Sequence, residues 1–148
     1  MKYRLNIEID LPRERVIELF DSTENLFQWM EGLVSFDPIS GEPGQEGAKS
    51  KLVFQMGKRK IEMVETITKR KLPEEFTGTY EAPGVWNSVE NHFEELGPQK
   101  TLWTTNNEFR CKGFMKVMAF LMPGMFKKQS YKYLEMFKRF AEAEGPGS

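Results

Sequence analysis

Cysteine and histidine are almost missing from this chain: in 148 residues there is one of each, Cys111 and His92. A single thiol excludes an intramolecular disulfide, and one imidazole with one thiol is too few for a His/Cys metal centre, so neither metal nor cofactor is expected. Charge of one sign is also missing, since 21 Lys and Arg stand against 22 Asp and Glu. That balance lacks the positive surplus of a nucleic-acid-binding domain, and no nucleic-acid partner is expected. No apolar run approaches the roughly 20 residues of a spanning helix. Met1-Lys2-Tyr3-Arg4 runs straight into charged alternation, without the pattern of a secretory leader. The expectation is a cytoplasmic domain over 1–144, large enough to bury a core without staples, followed by a frayed tail at 145–148.

What the chain does have is methionine, nine residues, and phenylalanine, twelve. Met115, Met118, Met122, Met125 and Met136 all lie in the C-terminal run from Gly113 to Glu144. Flexible, polarizable thioethers suit an irregular apolar surface, although any single Met also serves as ordinary core filling. In this run Phe126, Tyr133, Leu134, Phe137, Phe140 and Ala141 recur at helical spacing, opposite Lys127, Lys128, Lys132, Glu135, Lys138 and Arg139. The pattern predicts a long amphipathic helix with one face buried. Pro123 cannot donate the i→i−4 bond, so a kink or restart is expected at Pro123-Gly124.

Upstream, residues 2–11 alternate Tyr3, Leu5, Ile7, Ile9 and Leu11 against polar neighbours, which reads as a half-buried strand. Pro12 and Glu14 fit the start of a short helix through Phe20, and Ser22 or Thr23 caps a second carrying Leu26, Phe27, Trp29 and Met30. Strands are then expected at 33–39, 51–56, 60–68, 76–82, 85–96 and 101–111, separated by turn-rich loops such as Gly41–Gly47 and Pro83-Gly84. The expected class is α+β: a seven-stranded antiparallel sheet wrapped around a long C-terminal helix, with two short helices between strands 1 and 2.

That element order resembles the helix-grip fold of the SRPBCC superfamily, the Bet v 1-like, START and polyketide-cyclase-like proteins. The stretch from Asp21 to Trp29 is similar to the family's D-x-x-x-N-x-x-x-W region, and Ser40–Ala48 to its second hairpin loop. Met63–Ile67 and Phe120–Phe126 also resemble the small bacterial members. The resemblance covers nearly the whole chain and implies a curved sheet gripping a long helix, with an apolar small molecule held between them.

If the helix grips the sheet, Phe54, Met63, Tyr80, Val89, Phe93, Trp103 and Phe109 should line the space between, with Met118, Met122 and Phe126 opposite. Polar residues interrupt this face: Glu65, Asn87, Asn91, Thr105 and Asn107. A carboxylate between Met63 and Ile67 needs an explanation, because burying an unpaired ion costs several kcal/mol. Either Glu65 and the asparagines hold a ligand's polar head, with Glu65 as the candidate acid or base, or internal bonds or a bulge satisfy them. His92 falls on the opposite face beside Glu90 and Glu94, and reads as a surface residue. Cys111, between Arg110 and Lys112, reads as structural. The basic hairpin ends Lys58-Arg59-Lys60 and Lys69-Arg70-Lys71 read as solvated turns. Three functions fit: a carrier or sensor of a lipid, isoprenoid or aromatic polyketide; a cyclase or aromatase using a cavity acid or base; or a protein-interaction domain like the superfamily's chaperone activators. The expected state is a monomer or weak homodimer without stable membrane insertion, while the apolar run Met115–Phe126 makes a transient membrane contact conceivable.

Overall fold

Alternation in the first strand and hairpin signals after the second helix dictate a meander, and the computed structural model, which describes residues 1–147, has that form. The order is β1 (Lys2–Ile9), α1 (Arg13–Phe20), α2 (Thr23–Trp29), β2 (Leu33–Ser40), β3 (Lys49–Met56), β4 (Arg59–Lys71), β5 (Glu75–Ala82), β6 (Val85–Gly97), β7 (Lys100–Cys111), α3 (Phe114–Leu121) and α4 (Met125–Glu144). The strands form one antiparallel sheet in the order β1-β7-β6-β5-β4-β3-β2. Because β1 and β2 occupy opposite edges, α1 and α2 carry the chain across the full width of the sheet.

Local chemistry secures that crossing. Pro12 sits at the N-cap of α1, with Glu14 in its first turn. The Ser22 side chain caps α2 by accepting from the Asn25 amide at 3.2 Å, and Asn25 Nδ2 reaches back to the Leu19 carbonyl at 3.1 Å. Arg70 on β4 grips Asp21 with both terminal nitrogens, at 3.0 and 2.7 Å, which fixes the α1–α2 corner to the sheet. The second basic turn is therefore not simply solvated: Arg70 is committed to Asp21, and Lys69 pairs with Glu75 at 3.1 Å.

The core lies between one half of the sheet and α1, α2 and α4. Phe137 is fully buried, and its ring meets those of Phe20, Trp29 and Trp103 edge-on, with centroids 5.7, 5.2 and 5.2 Å away. Leu134 and Ala141 complete the buried stripe of α4. A smaller cluster of Leu33, Leu52 and Phe54 fills the far edge.

The tail departs from the single buried stripe that its sequence suggests. The helix does break at Pro123-Gly124, but the two parts differ: α4 packs along β1, whereas α3 has no buried residue. Met122 is 49% exposed at the corner between them, and Met118 is only half-buried. Neither methionine is placed over the middle of the sheet, because the missing Pro123 N–H ends one helix and lets the next start on a new axis. The strands also run longer than their alternation suggests, β4 through Lys71 for instance, since ladder pairing continues past a bulge between Ile67 and Lys69. Gly145 accepts from Arg15 Nε at 2.8 Å, and Ser148 lies outside the described residues.

Phe137→Ala should destabilise the protein by about 3–5 kcal/mol, because three rings lose their common neighbour and the cavity cannot collapse. The check is a lowered denaturant midpoint with an unchanged slope.

Candidate ligand-binding site

Register decides which side chains share the helix-facing side of the sheet. Ser50, Glu65, Tyr80, Asn87 and Phe109 are successive partners across β3 to β7 and form one continuous row. Beside it, Ile67, Gly78, Val89, Asn107 and Tyr3 form a second row, from β4 to β1. Leu52 and Met63 pair one step beyond the first row. With side chains alternating at period two, all of these point to one face. The bulge in β4 falls after Glu65, so it does not turn that carboxylate away.

The face is covered unevenly. At one end Phe93, Trp103 and Ile7 are paired in a row, and Phe76, Asn91, Thr105 and Leu5 in the next. Phe20 and Phe137 lie directly on these rows. Phe93 and Trp103 are 3% exposed, so the structure places them, like Phe54, inside packed core. At the other end Met63, Glu65, Tyr80, Asn87, Val89 and Phe109 are all only half-buried. The helices' main packing partners are β1, β2, β6 and β7, and Leu26 and Met30 pack over β3, whose Ser50, Leu52 and Phe54 are buried, which leaves β4 and β5 the least covered. The wall on the β1 side is well fixed: Phe126 stacks on Phe109 with centroids 4.6 Å apart, and Tyr3 Oη bonds Ser130 Oγ at 2.7 Å. Burial raises the Tyr3 pKa above its ordinary value, with the Ser130 bond opposing.

Most polar residues on this face are satisfied by the protein itself. Asn91 donates to the Phe76 carbonyl at 3.1 Å and accepts from Trp103 Nε1 at 3.0 Å. Asn107 Nδ2 donates to Thr105 Oγ1 at 2.9 Å. Asn87 Nδ2 donates to the Glu108 carbonyl at 3.0 Å and the Ser88 carbonyl at 3.3 Å. Asn91 and Asn87 tie neighbouring strands together, whereas the Asn107 bond stays within β7.

Glu65 is different. Its Oε2 accepts from Tyr80 Oη at 2.8 Å, and among the described residues no cation pairs with it. Burial raises its pKa, and the Tyr80 hydrogen bond only partly opposes this. Burial likewise pushes Tyr80 well above the usual phenol value, helped by the Glu65 charge and the hydrogen bond between them. The pair is thus a desolvated acceptor and a firmly neutral donor. It can receive a hydroxyl or amine, or move a proton at Glu65. Gly78 packs closely beside this pair, a feature that sequence reasoning missed. A Cβ there would lie 3.6 Å from Tyr80 Oη, 3.7 Å from Cε2 and only 3.3 Å from the Thr66 carbonyl oxygen. A glycine inside an otherwise regular strand was the available signal of such a close approach.

The other candidates lie elsewhere. His92 is on the opposite face, 3.8 Å from Glu75 and 3.6 Å from Glu90. Cys111 ends β7 as a half-buried free thiol. No cluster of three potential metal ligands occurs among the described residues.

No protein-family model matches the sequence, and no curated protein is similar to it by sequence. Solved structures are similar in shape. A conserved protein from Geobacillus kaustophilus superimposes with a TM-score of 0.81 at 17% identity, over 97% of this chain and 96% of its own. Zhui aromatase/cyclase from Streptomyces sp. R1128 gives 0.81 at 11% identity, over 99% of each chain. Norcoclaurine synthase from Thalictrum flavum, in complex with dopamine and hydroxybenzaldehyde, gives 0.74 at 13% identity, over 100% of this chain and 89% of its own. The chain therefore has the helix-grip fold, the architecture of Bet v 1-like and cyclase-like proteins. At these identities the likeness carries the fold alone.

The Glu65 environment predicts a signed pH effect. A carboxyl whose folded pKa exceeds its ordinary 4.5 binds more protons folded than unfolded, so it lowers stability as pH rises through the folded value. Glu65→Gln should therefore melt higher than the parent at neutral pH, and the difference should shrink to nothing below about pH 4. Thermal denaturation from acid to neutral pH checks it; a Glu65→Gln deficit that grows with pH would show that the carboxylate is stabilised.

Proposed function

We propose that the protein binds an apolar small molecule in the half-covered end of the helix-facing surface, with Glu65 and Tyr80 holding the polar head. The observation that carries this reading is Glu65, flanked by Met63 and Ile67, which among the described residues has no cationic partner and is bonded to Tyr80 alone. A ligand with an apolar or aromatic body and a hydroxyl or amino donor complements that pattern. Lipids, isoprenoids and aromatic polyketides all include such molecules. Phe109 and Phe126 supply flat walls for an aromatic body, and Met63 supplies an adaptable one. In this reading the protein acts inside the cell as a monomer or weak homodimer, without a nucleic-acid partner, and needs no cofactor.

A second reading, catalysis, is favoured by the burial that raises the Glu65 pKa, since a carboxyl shifted upward holds a proton more readily than an ordinary one and can pass it to a bound molecule. Two similar folds belong to an aromatase/cyclase and to a norcoclaurine synthase in complex with dopamine and hydroxybenzaldehyde. Glu65 would then be the acid or base and Tyr80 the group that polarises it. Binding is the more economical reading, because it requires only the groups already in place.

Native mass spectrometry of the purified protein, with extraction of any bound compound, should reveal a stoichiometric apolar ligand. Val89→Arg should abolish the bound mass in a protein that still melts cooperatively. Tyr80→Phe and Glu65→Gln should weaken it about tenfold each, the value of one hydrogen bond to a charged group. A ligand whose retention ignores all three variants would exclude this cleft as its site.

A further inference from the structure

A globular helix normally turns its apolar side inward and a polar side outward, but α3 is apolar on its outward side as well. Met115, Met118 and Ala119 are half-buried toward the end of β7, while Phe114, Val117, Phe120 and Leu121 point outward with exposures of 73, 52, 84 and 66%. Those four fall within one arc of the helix. The outward face continues into Met122, 49% exposed, and Tyr131, 39% exposed on the first turns of α4. This is more than scattered surface hydrophobicity, because contiguous exposed apolar patches of this kind mark interaction surfaces.

Charge identifies the occupant. From Lys112 to Leu134 the chain carries Lys112, Lys116, Lys127, Lys128 and Lys132 and no acidic residue, in a protein whose net charge is −1. All five lysines are exposed, and among the described residues only Lys132 of the five has an ion partner, Glu31 at 3.5 Å. A further basic group, Lys58-Arg59-Lys60, leaves the sheet at the same end, since antiparallel register brings the start of β4 and the end of β7 to one end of the strands. A symmetric second copy would bring each lysine cluster toward itself, which disfavours that occupant. An apolar helix face rimmed by lysines matches instead an anionic lipid surface, where side chains enter the acyl boundary and ammonium groups stay among the headgroups.

We propose that α3 and the first turns of α4 form a reversible docking surface for anionic membranes. No helix among the described residues is long and apolar enough to cross a membrane, so contact through this surface would be peripheral. The proposal does not depend on the ligand cleft, although docking would present the Phe109–Phe126 end of that cleft to the bilayer.

The experiment is co-sedimentation of the ligand-free full chain with vesicles of phosphatidylcholine alone and of phosphatidylcholine mixed with phosphatidylserine. Binding is expected to the mixed vesicles and to weaken steeply as salt is raised. Lys127→Ala with Lys128→Ala should lower the partition constant about 25-fold, and Phe120→Ser at least about tenfold, with melting temperatures unchanged. Lys71→Ala, at the opposite end of the sheet, should leave binding nearly intact. Absence of binding to both vesicle types would overturn the proposal, and so would equal loss from Lys71→Ala. A concentration-dependent dimer dissolved by Phe120→Ser, without vesicle binding, would assign the face to a second copy instead. Retention of a bound apolar compound by a protein that ignores vesicles would sink the membrane proposal and leave the ligand reading standing.

Discussion

Phe137 sets the geometry from which the rest follows. Its ring enters a space bounded by Phe20 from α1, Trp29 from α2 and Trp103 from β7, so a single side chain joins three helices to the sheet. Burying a phenylalanine completely contributes roughly 3 kcal/mol, and its edge-on ring contacts contribute more. All of that is gained at one end. The sheet is wider than one helix, and with α4 committed to β1 and the aromatic cluster, nothing of comparable size remains to cover β4 and β5. The half-buried state of Met63, Tyr80 and Val89 is thus a consequence of where the core is, and the less covered surface is the part of the sheet that the core leaves over.

Much of this could be read from the residues because period-two alternation survives wherever one face is buried. Tyr3 to Ile9 and Trp103 to Phe109 announce their faces plainly, and the placement of Glu65 beside Met63 and Ile67 follows from the same rule. Pairing across strands is a different matter. That Tyr80 rather than an asparagine would reach Glu65 depends on register, which the hairpin between β4 and β5 sets and composition does not encode. The amides could be located but not assigned: Asn87, Asn91 and Asn107 find internal partners, a result decided by a few ångströms of approach. Phe93 and Trp103 have the composition of cavity walls and the burial of core, and alternation cannot separate those roles. The tail misleads for a physical reason. Helical periodicity identifies an apolar stripe but not whether anything lies against it, so Met118 and Met122 read as buried residues although one is half-covered and the other exposed.

The same break explains the outer surface. Pro123 and Gly124 let the chain turn between α3 and α4, so the apolar residues of α3 do not share the buried stripe that ends in Leu134, Phe137 and Ala141. An exposed Phe120 gives nothing to the fold, since its contacts are with solvent in both folded and unfolded chains. Replacing it therefore tests interaction with little confusion from stability, unlike any change near Phe137.

The chemistry of a ligand's head is legible through Glu65 by linkage. A ligand that donates a hydrogen bond to the carboxylate favours the charged form and lowers the raised pKa. Binding then releases a proton over the titration range, and affinity rises with pH across it. A ligand that presents a carbonyl instead needs Glu65 protonated, so that its O–H can donate; binding takes up a proton and affinity falls as pH rises. Tyr80 does not blur this distinction, because its own titration lies well above the phenol range. The slope of affinity against pH therefore separates a hydroxyl or amine head from a carbonyl head before the molecule itself is known, and disappearance of that slope in Glu65→Gln would assign it to this carboxylate.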